Sequence, residues 1–236
     1  MTTLTRCPTA IDLRAFAATA AAAADPFGAG RTVLPLREAP VEVACVVLAA
    51  GAGKVPARTG DRWLVAAEGA VHLTAGERQL ELTGNQSCVI PAGTPFAWAS
   101  ATGARLIAMA YTAGAGAASE LVPIDLSAEL APSGAPLADL LIGATPACRN
   151  HTDFRSADGT FTCGVWDSTP YHRRAMRYAH FELMVLLAGS VTFVDEEATA
   201  ATFRRGDIFL IEQGASCSWE SREDVAKIYA IYRPAT

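Results

Sequence analysis

Apolar residues in this chain fall in short runs separated by Gly, Pro, Asn and Asp, and the runs recur about every ten residues. In the first half they cover 41–49, 62–67, 70–74, 79–82, 87–90, 96–99 and 105–111. In the second half they cover 161–166, 177–187, 190–194, 199–203, 208–211, 216–220 and 226–232. Runs of this length and spacing predict an all-β sandwich or barrel. One stretch differs: Leu13, Phe16, Ala17 and Ala20 share a helical face, with Thr9 and Asp12 as caps and Asp25-Pro26 as a stop. A single helix over 9–24 is predicted there.

The two halves repeat one another. Gly214 lies 121 positions after Gly93, and the same offset relates Cys217 to Phe96, Trp219 to Trp98 and Tyr232 to Tyr111. Upstream, A-G-S-V at 188–191 follows E-G-A-V at 68–71 by 120. A match sustained over some fifty residues means duplication. The expected organisation is an N-terminal helix and arm (1–40), a first barrel (41–112), an Ala-, Gly- and Pro-rich linker (113–147) and a second barrel (148–236).

Composition narrows the function classes. Hydrophobic residues make up 51% of the 236 and charged residues 18%, which is globular composition. A net charge of -5, with no run of Lys or Arg long enough to offset it, argues against a nucleic-acid partner. The alanine-rich run at 15–24 has Asp12 and Arg14 before it and reads as helix rather than signal peptide. No other stretch approaches the ~20 apolar residues of a membrane span, so no membrane partner is expected. Six cysteines (7, 45, 88, 148, 163, 217) show no metal-finger spacing, and several sit in apolar runs. Buried thiols and a reducing, cytoplasmic location are the expectation.

The punctuation of the second half resembles the cupin superfamily. Its first motif, G-x5-H-x-H-x3-4-E-x6-G, places a glutamate at Glu182 before Gly189; its second, G-x5-P-x-G-x2-H-x3-N, runs through Gly206, Glu212, Gly214 and Cys217. G-V-W-D-S-T-P (164–170), R-G-D (205–207), C-S-W (217–219) and K-I-Y (227–229) look like the cupins grouped with ureidoglycine aminohydrolase and the ethanolamine-utilisation cupins. The resemblance implies two tandem RmlC-like jelly-roll barrels, a bicupin with a short N-terminal helix. It also implies a small polar metabolite as ligand. Pairing through sheet edges, common among cupins, implies a homodimer unless the two barrels satisfy their edges within one chain.

The departures from the motifs are informative. The paired histidines fall on Met176 and Tyr178, or on Ala175 and Arg177, and Cys217 replaces the later histidine. In the first half Arg62 takes the glutamate position and Phe96 the histidine position, so that barrel is expected to be structural. Only four histidines exist. His72 reads as a surface or core residue and His151 as a loop residue, while His172 and His180 flank the site.

In an extended strand alternate residues share a face, so Tyr178, His180 and Glu182 point together, with the outer pair able to meet only around a bend. Three readings stand. In one, a metal-independent pocket uses Glu182 and His180 as an acid–base pair and Tyr178 as a hydrogen-bond donor, with burial raising the carboxyl pKa toward the useful range. In the second, His180, Glu182 and Cys217, with His172 as a further candidate, hold zinc, iron or manganese. In the third, the barrel is a non-catalytic scaffold or sensor. Cys217 as a nucleophile is a lesser variant, without a base at the right spacing. Trp166 and Trp219 are expected to line the pocket, with Trp98 as the counterpart of Trp219 in the first barrel.

Overall fold

The computed structural model describes residues 10–115 and 120–235, and within them the chain is almost wholly β-structure. It divides into two compact units, one built from 14–124 and 154–162, the other from 10–13, 125–153 and 163–235.

In the first unit the strand Asp61–Ala75 runs through the whole barrel. Its leading part pairs with Ala104–Tyr111 on one side and Ser87–Ile90 on the other. Past a bulge between Ala66 and Glu68 its trailing part pairs with Arg78–Thr83 and Phe96–Ser100. One strand thus serves two sheet surfaces, and Gly69 turns it with a φ of 71°. The enclosed core is apolar, with Leu64, Ala66, Leu73, Phe96 and Leu106 at its centre.

The second unit repeats this order. Phe181–Ala188 lies between Val225–Tyr232 and Ile208–Ile211, and the strands Tyr171–Arg177, Ser216–Ser221, Ser190–Val194 and Ala200–Arg204 form the other surface. The duplication holds at the level of register. Arg62 stands opposite Ile90 and Ala110 in the first barrel; Glu182 stands opposite Ile211 and Ile231 in the second. Ala66 faces Leu106 as Leu186 faces Lys227. Two tandem jelly-roll barrels of cupin type, with one short α-helix among the described residues, are the fold.

The helix is shorter than its periodicity predicts. It spans Leu13–Ala18, while Ile11–Asp12 pairs as a strand with Phe209 and Leu210. Residues 21–25 are exposed, so the later alanines bury no apolar face, and propensity alone does not hold a short helix in water. Arg105 closes the end by donating to the carbonyls of Ala17 and Ala20. Thr9, the expected cap, and Cys7 lie outside the described residues. No helix among the described residues is long and apolar enough to cross a membrane.

Candidate functional site

Inside the second barrel three polar side chains form a chain of contacts. Glu182 sits one residue into the central strand, facing inward with Met184 and Leu186. Lys227 lies opposite Leu186 on the neighbouring strand, and its stem runs back along that face. Its ammonium donates to Glu182 Oε1 at 2.8 Å and lies 3.3 Å from Met184 Sδ. His180, in the bend before the strand, places Nε2 at 3.2 Å from Glu182 Oε2. All three are buried, with side chains 8–10% exposed.

The ammonium is also held by aromatic rings. Lys227 Nζ is 4.6 Å from the centre of Trp166 and 5.1 Å from that of Trp219, within cation–π range. Tyr171 stacks on Trp219 at 5.4 Å, and Trp219 Nε1 donates to Ser221 Oγ, which fixes the indole. Two tryptophans and one carboxylate therefore surround one cation.

The electrostatics overturn one expectation. Burial by itself would raise the carboxyl of Glu182. The charge of Lys227, together with the hydrogen bond and charge of His180, outweighs it and holds the carboxyl far below the ordinary range. Glu182 is a fixed anion rather than a carboxylic acid poised near neutrality. An ionised carboxylate only accepts, so the bond between His180 and Glu182 uses the Nε2 proton of the imidazole. Burial above all, and then the charge of Glu182, pushes the Tyr178 hydroxyl well above its usual value, so it keeps its proton.

The chain bends before Glu182, so Tyr178, His180 and Glu182 do not lie along one extended strand. Tyr171–Arg177 ends there, Phe181–Ala188 begins after it, and the rings of Tyr178 and His180 come within 5.3 Å. Cys217 is fully buried in the same cluster as Tyr178, Met184 and Trp219. His172 is not brought to this group. It stands opposite Glu220 in the register, while its neighbours Tyr171 and Arg173 turn inward. His72 is an exposed residue beside Glu81 at 3.6 Å. His151 lies within the strand Cys148–Arg155 rather than in a loop, 3.5 Å from Asp153.

Two participants escaped the sequence reading. Lys227 is the lone charge in the apolar run V-A-K-I-Y-A-I-Y, with the parity of the inward Val225 and Tyr229, and that parity was the available signal. Arg173, buried at 4% exposure, sits in Y-H-R-R-A-M-R, a basic stretch that reads as solvent-facing.

A divalent ion does not fit this donor set. The carboxylate already faces an ammonium at hydrogen-bond distance, its other oxygen faces the imidazole, and a second cation, Arg173, is buried alongside. Among the described residues no three His, Cys, Asp or Glu side chains converge on one point. A metal at Glu182 would have to displace Lys227. Among the described residues the first barrel carries no counterpart of this polar cluster. Leu106 stands where Lys227 does, Phe96 where Cys217 does, and both belong to its apolar core.

Antiparallel strands closed into paired barrels, one of them enclosing a polar cluster, define a protein of the cupin class. Residues 155–229 match the EutQ-like cupin domain. A protein of unknown function from Pseudomonas syringae pv. tomato, assigned to the DUF861 family, is 32% identical over 90% of both chains, with a TM-score of 0.82. The chain belongs to that cupin family. A cupin 2 conserved barrel protein from Leptotrichia buccalis (9% identity, 95% and 96% covered, TM-score 0.59) shares the fold. So does a salicylate 1,2-dioxygenase from Pseudaminobacter salicylatoxidans (10% identity, 89% and 79% covered, TM-score 0.56). A search of curated proteins gave no match.

Proposed function

We propose that the chain is a bicupin whose second barrel binds a small polar metabolite without the metal ion common in its superfamily. The observation that carries this is the ammonium of Lys227, seated on Glu182 between Trp166 and Trp219. It supplies a fixed positive charge at the carboxylate that a metal would otherwise engage. Trp166, Tyr171 and Trp219 offer an aromatic wall, and Tyr178 offers a neutral hydroxyl. Where the bound molecule is transformed, His180 carries the proton and Glu182 orients the imidazole, since the carboxyl is held ionised. Cytoplasmic location and a homodimer belong to the same proposal. The described cysteines are buried and form no disulfide, the state a reducing compartment maintains.

Metal analysis of protein purified without chelator, followed by titration with zinc, manganese and ferrous ions, tests the reading. Wild type is expected to hold far less than one equivalent. A full equivalent that disappears in Glu182→Gln would instead establish the metal-dependent alternative. A thermal-shift screen of small metabolites separates ligand binding from a scaffold role. A ligand at 100 times its Kd stabilises by about 2.7 kcal/mol, and a screen without any shift would leave the scaffold.

A further inference from the structure

The second barrel buries one more charge than the chain around Glu182 accounts for. Arg173 stands opposite Trp219 in the strand register, and its guanidinium lies 5.6 Å from the centre of the Tyr178 ring. It donates to the carbonyls of Arg174 and Cys217 at 3.2 and 3.3 Å, and to the Tyr178 hydroxyl at 3.3 Å. All three acceptors are neutral, and all three contacts lie beyond the usual 2.9–3.0 Å. Among the described residues no carboxylate comes within 4 Å of this guanidinium. Glu182 is engaged by Lys227 and His180. Asp195, brought beside Cys217 by a β-bridge, accepts at Oδ1 from the amides of Glu197 and Thr199.

Glu182 is thus shared by Lys227 and His180, and the guanidinium of Arg173 is left with neutral acceptors alone. A buried charge without a partner is costly, and a guanidinium presents its donors in a fork that matches a carboxylate. We infer that the ligand of the second barrel is a small monocarboxylate. Its anionic end is received by Arg173 with the Tyr178 hydroxyl, and its body lies against Trp219 and Tyr171. One guanidinium beside one neutral hydroxyl suits the two oxygens of a carboxylate, while a phosphate dianion brings more charge and more acceptors than this pair can engage. The inference rests on the ligand-binding reading above and adds the charge and class of the ligand.

The experiment compares acids with their near-isosteric amides on the full chain. Acetate and propionate, acetamide and propionamide, and inorganic phosphate are titrated by calorimetry at constant ionic strength, into wild type, Arg173→Gln and Arg173→Lys. Wild type is expected to bind each acid about ten- to hundredfold more tightly than its amide. Arg173→Gln should bring that ratio toward one, and Arg173→Lys should keep part of it. Should Arg173→Gln fail to fold, the wild-type ratio and the Arg173→Lys ratio decide alone. Amides binding as well as acids, phosphate binding more tightly than the acids, or a ratio unchanged in Arg173→Gln would each overturn the carboxylate inference and leave a ligand site standing. Wild type binding none of the five probes would overturn the inference and count against the ligand site itself.

Discussion

Lys227 Nζ lies 2.8 Å from Glu182 Oε1, across two neighbouring strands and 45 positions apart in the chain. The pair is buried on both sides, so removing one member strands the other in an apolar barrel. Lys227→Met is expected to destabilise the second barrel by about 3–5 kcal/mol in urea unfolding. Lys227→Met combined with Glu182→Gln should regain most of that, because no bare charge remains. A single variant as stable as wild type would refute the pairing.

Acid should weaken the same contact in a defined direction. Glu182 has its pKa lowered on folding. A carboxyl of this kind contributes stability at every pH above its unfolded value, about 4.3. That contribution is lost as the pH falls toward and through the lower folded value. Urea midpoints between pH 7 and 2 should therefore decline more steeply below about pH 4.3 in wild type than in the Glu182→Gln, Lys227→Met double variant. Equal slopes would show that Glu182 is not held ionised by folding.

The first barrel provides the converse test. Leu106 occupies the register position of Lys227, and Arg62 that of Glu182. Leu106→Lys buries an ammonium without a carboxylate and should cost several kcal/mol. Adding Arg62→Glu should recover part of the loss, with a favourable coupling of about 1 kcal/mol or more in a double-mutant cycle. Zero coupling would mean that the barrels do not correspond at these positions.

Two glycines separate backbone strain from steric overlap. Gly93 and Gly189 both adopt left-handed backbone, at φ 81° and 71°. A Cβ on Gly93 meets open space, whereas one on Gly189 overlaps the carbonyl oxygen of Asp224 and approaches Val225 Cγ2 at 3.1 Å. Gly93→Ala should cost about 1–2 kcal/mol. Gly189→Ala should cost about 1–3 kcal/mol more, read from denaturant midpoints.

Much of the fold was legible because strands and their corners are local events. The apolar runs, the glycines at barrel corners and the 121-residue offset located the strands and the duplication, and Ile90 and Ile211, the register partners of Arg62 and Glu182, repeat that offset. The helix is shorter than the expected 9–24, since Ala17 and Ala20 pack inward while the alanines at 21–24 are exposed and have nothing to pack against.

From the sequence came two expectations: that Glu182, by the motif position it resembles, faces a barrel interior, and that His180 shares its face wherever the backbone stays extended; the bend between Arg177 and Phe181 left the second to the folded chain. What Glu182 does there was decided by the tertiary structure. An isolated carboxyl in an apolar barrel is pushed up, and the expectation followed from that. The partner that reverses the shift arrives from a strand 45 positions further along. Arg173, in a stretch of basic residues, is turned inward only by strand pairing with Trp219. Charge–charge terms at 3 Å depend on which strands become neighbours, and that is a property of the closed sheet, not of any segment within it.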